Sequence, residues 1–227
     1  MKTSNKLLVT IVGILVGSLL TYDIALKAEY RTGAYKNVFR HFTALSLRDF
    51  DEVQAAGNNL DIRLTPGAFG VRVDKYSAPY IQVRQAGRRL LVTTSFPKDS
   101  QGQEKSIGGM KVLISCPALT RVRTTGDQAV YVDDFTLDSL TIEQNGAGAV
   151  TLANNTLGFL RATTGPEAGP GAELHLKENN RIAGANLTVR HKSGLSLENV
   201  FIPQFACQFS DSASVTISGK SLRMMKR

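Results

Sequence analysis

The chain has 227 residues, 42% hydrophobic and 20% charged, with 20 Gly, 2 Cys, 3 His and no Trp. That size supports one sizeable core, or one domain with an appendage, and the ordinary apolar content argues against wholesale disorder. Two cysteines exclude a disulfide-dense mini-fold, and three scattered histidines leave little material for a zinc cluster. The formal charge of +8 is spread out: residues 1–40 carry six basic and two acidic groups, and the remaining 187 carry 21 and 17. A nucleic-acid partner, which wants a concentrated basic face, is therefore not expected.

Met1–Lys6 is short and basic, and Leu7–Leu20 carries no charge. Extending the run to Leu26 gives twenty residues at the cost of including Asp23, with Tyr22 and Tyr30 placed as an interfacial belt would place them. A cleaved signal needs small residues at −3 and −1. Cutting after Ala28 puts Leu26 at −3 and cutting after Ala25 puts Asp23 there, so an uncleaved anchor over 7–26 is favoured. No cysteine follows for lipoprotein processing. A buried core helix fits less well, because the run has no amphipathic face. Residues 27–47 mix Lys and Arg with Tyr30, Tyr35, Phe39 and Phe42, which reads as an interfacial segment or as a helix capping the following domain.

From Phe50 onward helical periodicity gives way to short alternating apolar runs: Leu60-Asp61-Ile62-Arg63-Leu64, Val71-Arg72-Val73, Ile81-Gln82-Val83 and Leu90-Leu91-Val92. The second half repeats. One column of apolar pairs is Val130/Val132, Val150/Leu152, Leu174/Leu176, Leu195/Leu197 and Val215/Ile217. A second is Leu137, Leu157, Ile182 and Ile202, and a third is Leu140, Leu160, Leu187 and Phe205. Their common period of about 20 residues predicts stacked coils, each column a ladder of inward side chains. Asp134, Asn154, Glu178, Asn199 and Gly219 follow the first column by two and are expected at corners, where Asn and Gly tolerate unusual turn conformations. A β-sandwich would explain the alternation without keeping three columns in one register. The expected fold is all-β, a parallel β-helix-like solenoid preceded by the anchor helix. The organisation is a basic start over 1–6, the anchor over 7–26, a juxtamembrane segment over 27–47, the solenoid over 48–222 and a basic tail over 223–227. With Val122 opening the third column, Cys207 lies about four coils beyond Cys116, roughly 19 Å at 4.8 Å per coil, so both thiols are expected to be free.

Phe50-Asp51-Glu52-Val53, the Asn59–Leu64 and Met110–Pro117 strands, and the later Leu-x-x-Leu runs with turn glycines at Gly126, Gly146–Gly148, Gly165 and Gly194 resemble the putative auto-transporter adhesin, head GIN domain family of bacterial envelope proteins. The resemblance covers about residues 48–222. The last unit departs from it, with Ser210–Ser214 where a glycine is usual. It implies a parallel β-solenoid in the cell envelope, and it supplies no catalytic residues.

No catalytic constellation is marked, and no enzyme activity, cofactor or metal is expected. Asp133 and Asp134 are adjacent, so on a strand they face opposite ways and cannot pair as acid and base. His175 and His191 fall at different register positions, and His41 has no partner at ligand spacing. No Gly-x-Ser-x-Gly elbow occurs, and the glycine doublets open no phosphate-binding helix. The remaining candidate is a ligand-binding surface: Arg161, Lys177, Arg181, Arg190, His191 and Lys192, around the longer loops of the third and fourth coils. The expected function is a membrane-anchored, exported, non-catalytic adhesion or recognition module. Its partner is an acidic polysaccharide or another envelope protein, on the periplasmic side or at the cell surface. The alternatives are a periplasmic structural or signalling role and, less favoured, a carbohydrate-active enzyme.

Overall fold

The computed structural model describes residues 3–33, 39–96, 109–167 and 169–226. The chain divides into two compact units, Met1–Phe42 and Thr43–Arg227.

The first unit is built on one helix, α1 (Thr3–Thr32), whose stretch Asn5–Arg31 is long and apolar enough to cross a membrane. Its apolar side chains point outward on every side, from Leu7 and Leu8 to Leu26, which suits a lipid solvent better than a protein core. Three of its hydroxyls are satisfied within the helix. The hydroxyls of Thr10, Ser18 and Thr21 donate to the carbonyls of Lys6, Leu15 and Gly17 at 2.9, 2.8 and 2.7 Å. Asp23, the acid that interrupts the run, is paired one turn on with Lys27 at 2.9 Å. The helix continues past Leu26 to Thr32, so the first part of the juxtamembrane segment belongs to it.

The second unit is mostly β. Its strands are β1 (Phe42–Leu45), β2 (Glu52–Pro66), β3 (Gly70–Asp74), β4 (Ile81–Ala86), β5 (Arg89–Thr94), β6 (Met110–Cys116), β7 (Arg121–Asp133) and β8 (Thr136–Gln144). They continue with β9 (Ala149–Ala153), β10 (Thr156–Thr164), β11 (Glu173–Leu176), β12 (Arg181–Val189), β13 (Gly194–Glu198), β14 (Gln204–Phe209) and β15 (Ser214–Ser218). A 3₁₀ segment, Gly219–Lys226, follows. All the early alternating runs fall in strands, β2 to β5.

β2 and β7 are long strands that each turn a corner, at Gly57 (φ 135°) and Gly126 (φ 136°). The two glycines are in register, and a side chain on Gly126 would run into the Gly57 backbone, so close stacking and backbone angle both demand glycine. From these bends two ladders grow. The first halves of β2 and β7 continue into β8, β10, β12 and β14, and the second halves into β9, β11, β13 and β15. Every pairing from β7 onward is parallel. The start of the domain differs. β3 runs antiparallel to β6 and β4 antiparallel to β5, so the sheet is mixed, and it does not close.

The first apolar column pairs as expected, Val130–Val150–Leu174–Leu195–Val215 and Val132–Leu152–Leu176–Leu197–Ile217. In the second, Leu137, Leu157 and Ile182 pair directly. The third column needs a correction: Leu140 and Leu160 align with Ala185 and Phe205, while Leu187 belongs two positions on, with Ile142, Ala162 and Cys207. Both positions point inward, so alternation alone could not separate them, and the small Ala185 gave the weaker signal. Inward side chains of both ladders join in one core.

Chain order and stacking order also differ. The layer containing β2 lies between β6 and β7, so Cys116 on β6 and Cys207 on β14 are six strand steps apart rather than four, about 29 Å. Both thiols are free. Burial pushes Cys116 up to about 12 and Cys207 up to about 11, which leaves both in the unreactive thiol form at neutral pH.

Candidate functional site

Each layer turns twice. The corners that follow the second ladder repeat a two-residue device: an exposed residue in the left-handed conformation, then a buried one. Asp49-Phe50, Asp134-Phe135, Asn154-Asn155, Asn179-Asn180 and Asn199-Val200 all follow it, with φ between 57° and 69° at the first position. In the third of the repeated units the corner is Asn179, one residue later than the expected Glu178, because that unit carries an extra residue after Leu176. Behind the exposed residues runs a buried amide ladder. Asn155 Oδ1 accepts the Phe135 N–H at 3.0 Å, and its Nδ2 donates to the Val132 carbonyl at 2.8 Å. Asn180 Oδ1 accepts the Asn155 N–H at 2.9 Å, and its Nδ2 donates to the Leu152 carbonyl at 2.7 Å. Each side chain thus satisfies backbone groups that the turn would otherwise leave buried and unpaired.

Outside this edge lies an open groove of about 720 Å³. Its floor is made of small or stiff residues at equivalent outward positions of three successive layers, Gly158, Ala183 and Pro203. Its rim carries Arg181, Phe201 and Lys220, with the amides of Asn179 and Asn199 at the corner. The Asn199 Oδ1 accepts the Lys220 N–H at 3.1 Å, fixing the start of the 3₁₀ segment beside the groove. Among the described residues no carboxylate lines it.

The six basic residues expected to form one surface are distributed over both edges and the outer face between them. Arg181 stands in the groove at the start of β12, with Lys177 on the same edge. Arg190, His191 and Lys192 sit at the opposite edge, between β12 and β13, near the Gly165–Ala172 loop. Arg161 is on β10, on the exposed outer side between the edges. Their partners differ too. Lys177 lies 3.9 Å from Glu198, Arg190 3.9 Å from Glu167, and His191 Nδ1 3.1 Å from the Ser212 hydroxyl. Among the described residues the side chains of Arg161, Arg181 and Lys192 meet no hydrogen-bonding or ionic partner. Lys220 and Phe201 were not singled out in the sequence. The signal was the column itself: Arg181 and Phe201 occupy the same register position one layer apart, and Lys220 emerges from the next layer.

A second, smaller hollow of about 390 Å³ opens between Asp61, Arg63, Lys111 and Tyr131. Arg63 on its wall lies 3.5 Å from Asp133 and 5.6 Å from the centre of the Tyr131 ring. Burial pushes the Asp133 carboxyl up, against the pull of Arg63, but its neighbour Asp134 is the left-handed corner residue, so the two do not form a catalytic pair. His175 pairs with Ser196 in the ladder and does not meet His191. No group of three or more His, Cys, Asp or Glu side chains suited to a metal ion occurs among the described residues.

No family model matches the chain, and no curated protein matches it. Among solved structures it is similar to a putative adhesin from Bacteroides fragilis NCTC 9343, with 15% identity, a TM-score of 0.48, and coverage of 78% of this chain and 96% of that one. It is also similar to a putative lipid binding protein from Parabacteroides distasonis ATCC 8503, with 13% identity, a TM-score of 0.41, and coverage of 79% and 94%. A putative adhesin from Parabacteroides merdae ATCC 43184 shows 13% identity and a TM-score of 0.33 over 78% and 95% of the two chains. At these TM-scores the likeness carries no argument about what the chain binds.

Proposed function

We propose that the chain is a membrane-anchored, exported recognition module, a β-solenoid that binds an acidic envelope or surface polymer without acting on it. One observation carries this reading: the later layers hold basic side chains that meet no hydrogen-bonding or ionic partner among the described residues, Arg161, Arg181 and Lys192, whereas several arginines nearer the start of the stack are paired. Arg88 pairs with Asp51 at 2.6 Å, Arg123 with Glu143 at 2.7 Å, and Arg89 with Glu52 at 3.3 Å. Cations left uncompensated on an exposed face attract a polyanion at long range and hold it through charge-assisted hydrogen bonds. The parallel register at about 20-residue spacing supports the solenoid, and the sequence resemblance to the head GIN family supports an envelope setting. The outward-facing apolar helix supports the anchor.

The full chain in detergent or nanodiscs should be retained on immobilised polygalacturonate, released as salt rises through a few tenths molar, and should pass through neutral dextran. Passage through both at low salt would contradict the reading. Release of reducing ends or unsaturated products from the column would replace it with the enzyme alternative.

A further inference from the structure

Resting on that reading, we infer that the groove beside Arg181 is the binding site, and that its ligand is an acidic glycan laid across the layers rather than along a strand. The argument starts from the register. Position 181 on β12 aligns with position 201 in the next layer, by continuation of the Gly184–Gln204 pairing, and Lys220 begins the layer after that. Successive layers are about 4.8 Å apart, so the two cations stand roughly 10 Å apart along the stack, with an aromatic ring between them. Neither cation has an internal partner among the described residues. Phe201 is 40% exposed and lines the groove, so its ring is available to a ligand there. Gly158 and Ala183 keep the floor open, and the amides of Asn179 and Asn199 stand at the corner with their side chains exposed.

This order of groups matches an acidic sugar chain better than a simple polyanion. A guanidinium takes a carboxylate in bidentate fashion, an ammonium takes a second acid as a point charge, and a ring face accepts the apolar face of a pyranose. Polyphosphate would use the cations and leave Phe201 idle. The opposite edge, with Arg190, His191 and Lys192, also has an exposed ring one layer on, Phe209, but Arg190 and His191 there are already engaged.

The test measures binding of oligogalacturonate and polyphosphate to the full chain in nanodiscs. Four proteins are compared: the parent, Arg181→Gln/Lys220→Gln, Phe201→Leu, and Arg190→Gln/Lys192→Gln. The groove double variant should lose about tenfold or more in affinity for oligogalacturonate, equivalent to about 1.4 kcal/mol. Phe201→Leu, which keeps apolar bulk without a ring, should weaken oligogalacturonate severalfold and leave polyphosphate unchanged. The opposite-edge variant should bind like the parent. If it loses binding while the groove variants keep it, the site assignment is overturned and the polymer reading stands. Equal weakening of both ligands by Phe201→Leu would overturn the glycan assignment. A parent protein that binds neither ligand would end both the assignment and the reading beneath it. Far-ultraviolet circular dichroism and melting of each variant separate lost binding from lost folding.

Discussion

Asp51 shows how single residues hold the early layers together. Its carboxylate, nearly buried, accepts hydrogen bonds from Arg88 Nε at 3.0 Å and Nη2 at 2.6 Å, while the Asp51 carbonyl accepts the Thr120 N–H at 2.8 Å. One residue thereby ties β2 to the turn before β5 and to the entry of β7. The hydrogen bonds from Arg88 hold the carboxyl below the usual carboxylate range, outweighing burial, which pushes the other way. A folded-state value below the unfolded one, about 3.9, means the pair contributes stability above that pH and loses it as pH falls through the folded value. Arg88→Gln should therefore melt lower than the parent at pH 7, and the gap should narrow as pH drops below about 4. Thermal melts at pH 7, 4 and 2.5 check this. A gap unchanged at pH 2.5 would show that the arginine acts through packing rather than charge.

The corner is the element on which both the stack and the groove depend. Asn155→Ala would leave the Phe135 N–H and the Val132 carbonyl without their partners in a buried turn, and should cost about 2–4 kcal/mol by denaturant unfolding. Asn180→Ala should cost a similar amount, and the double variant less than the sum, because the two amides bond to each other at 3.1 Å. Strict additivity would mean that the ladder is not a unit. The sequence disclosed this element incompletely. The apolar pairs of the first column were readable, since two inward residues recur in each unit and loops absorb the irregular spacing. The left-handed corner position is legible at Asp134, Asn154, Asn199 and Gly219 but not at Glu178, where one added residue shifts the turn to Asn179. Alternation cannot place Leu187, because Ala185 and Leu187 share a parity and only the pairing of backbones chooses between them. The insertion of the β2 layer between β6 and β7 was not readable at all. Non-local pairing order leaves no trace in local alternation. Arg181 stood out as an exposed base, whereas Phe201 and Lys220 gained meaning only once three layers were superposed.

At the scale of the whole molecule, the chain joins an outward-apolar helix to a β-domain whose basic edges are unequal in kind. The helix bonds the hydroxyls of Thr10, Ser18 and Thr21 to its own carbonyls and pairs Asp23 with Lys27, an arrangement that suits a lipid solvent. In the β-domain Arg88, Arg89 and Arg123 are ion-paired in the early layers, Lys177 and Arg190 lie near Glu198 and Glu167 in the later ones, and Arg161, Arg181 and Lys192 meet no partner among the described residues. On the proposed reading the domain meets a polymer outside the inner membrane, which makes its side of the membrane the central claim. The most direct measurement is protease shaving of intact cells that carry a C-terminal tag, with a periplasmic protein as control. The account predicts that the tag is lost either from intact cells, placing the domain at the surface, or on permeabilising the outer membrane, placing it in the periplasm. A tag that survives permeabilisation, and yields only when the inner membrane is dissolved, would contradict export.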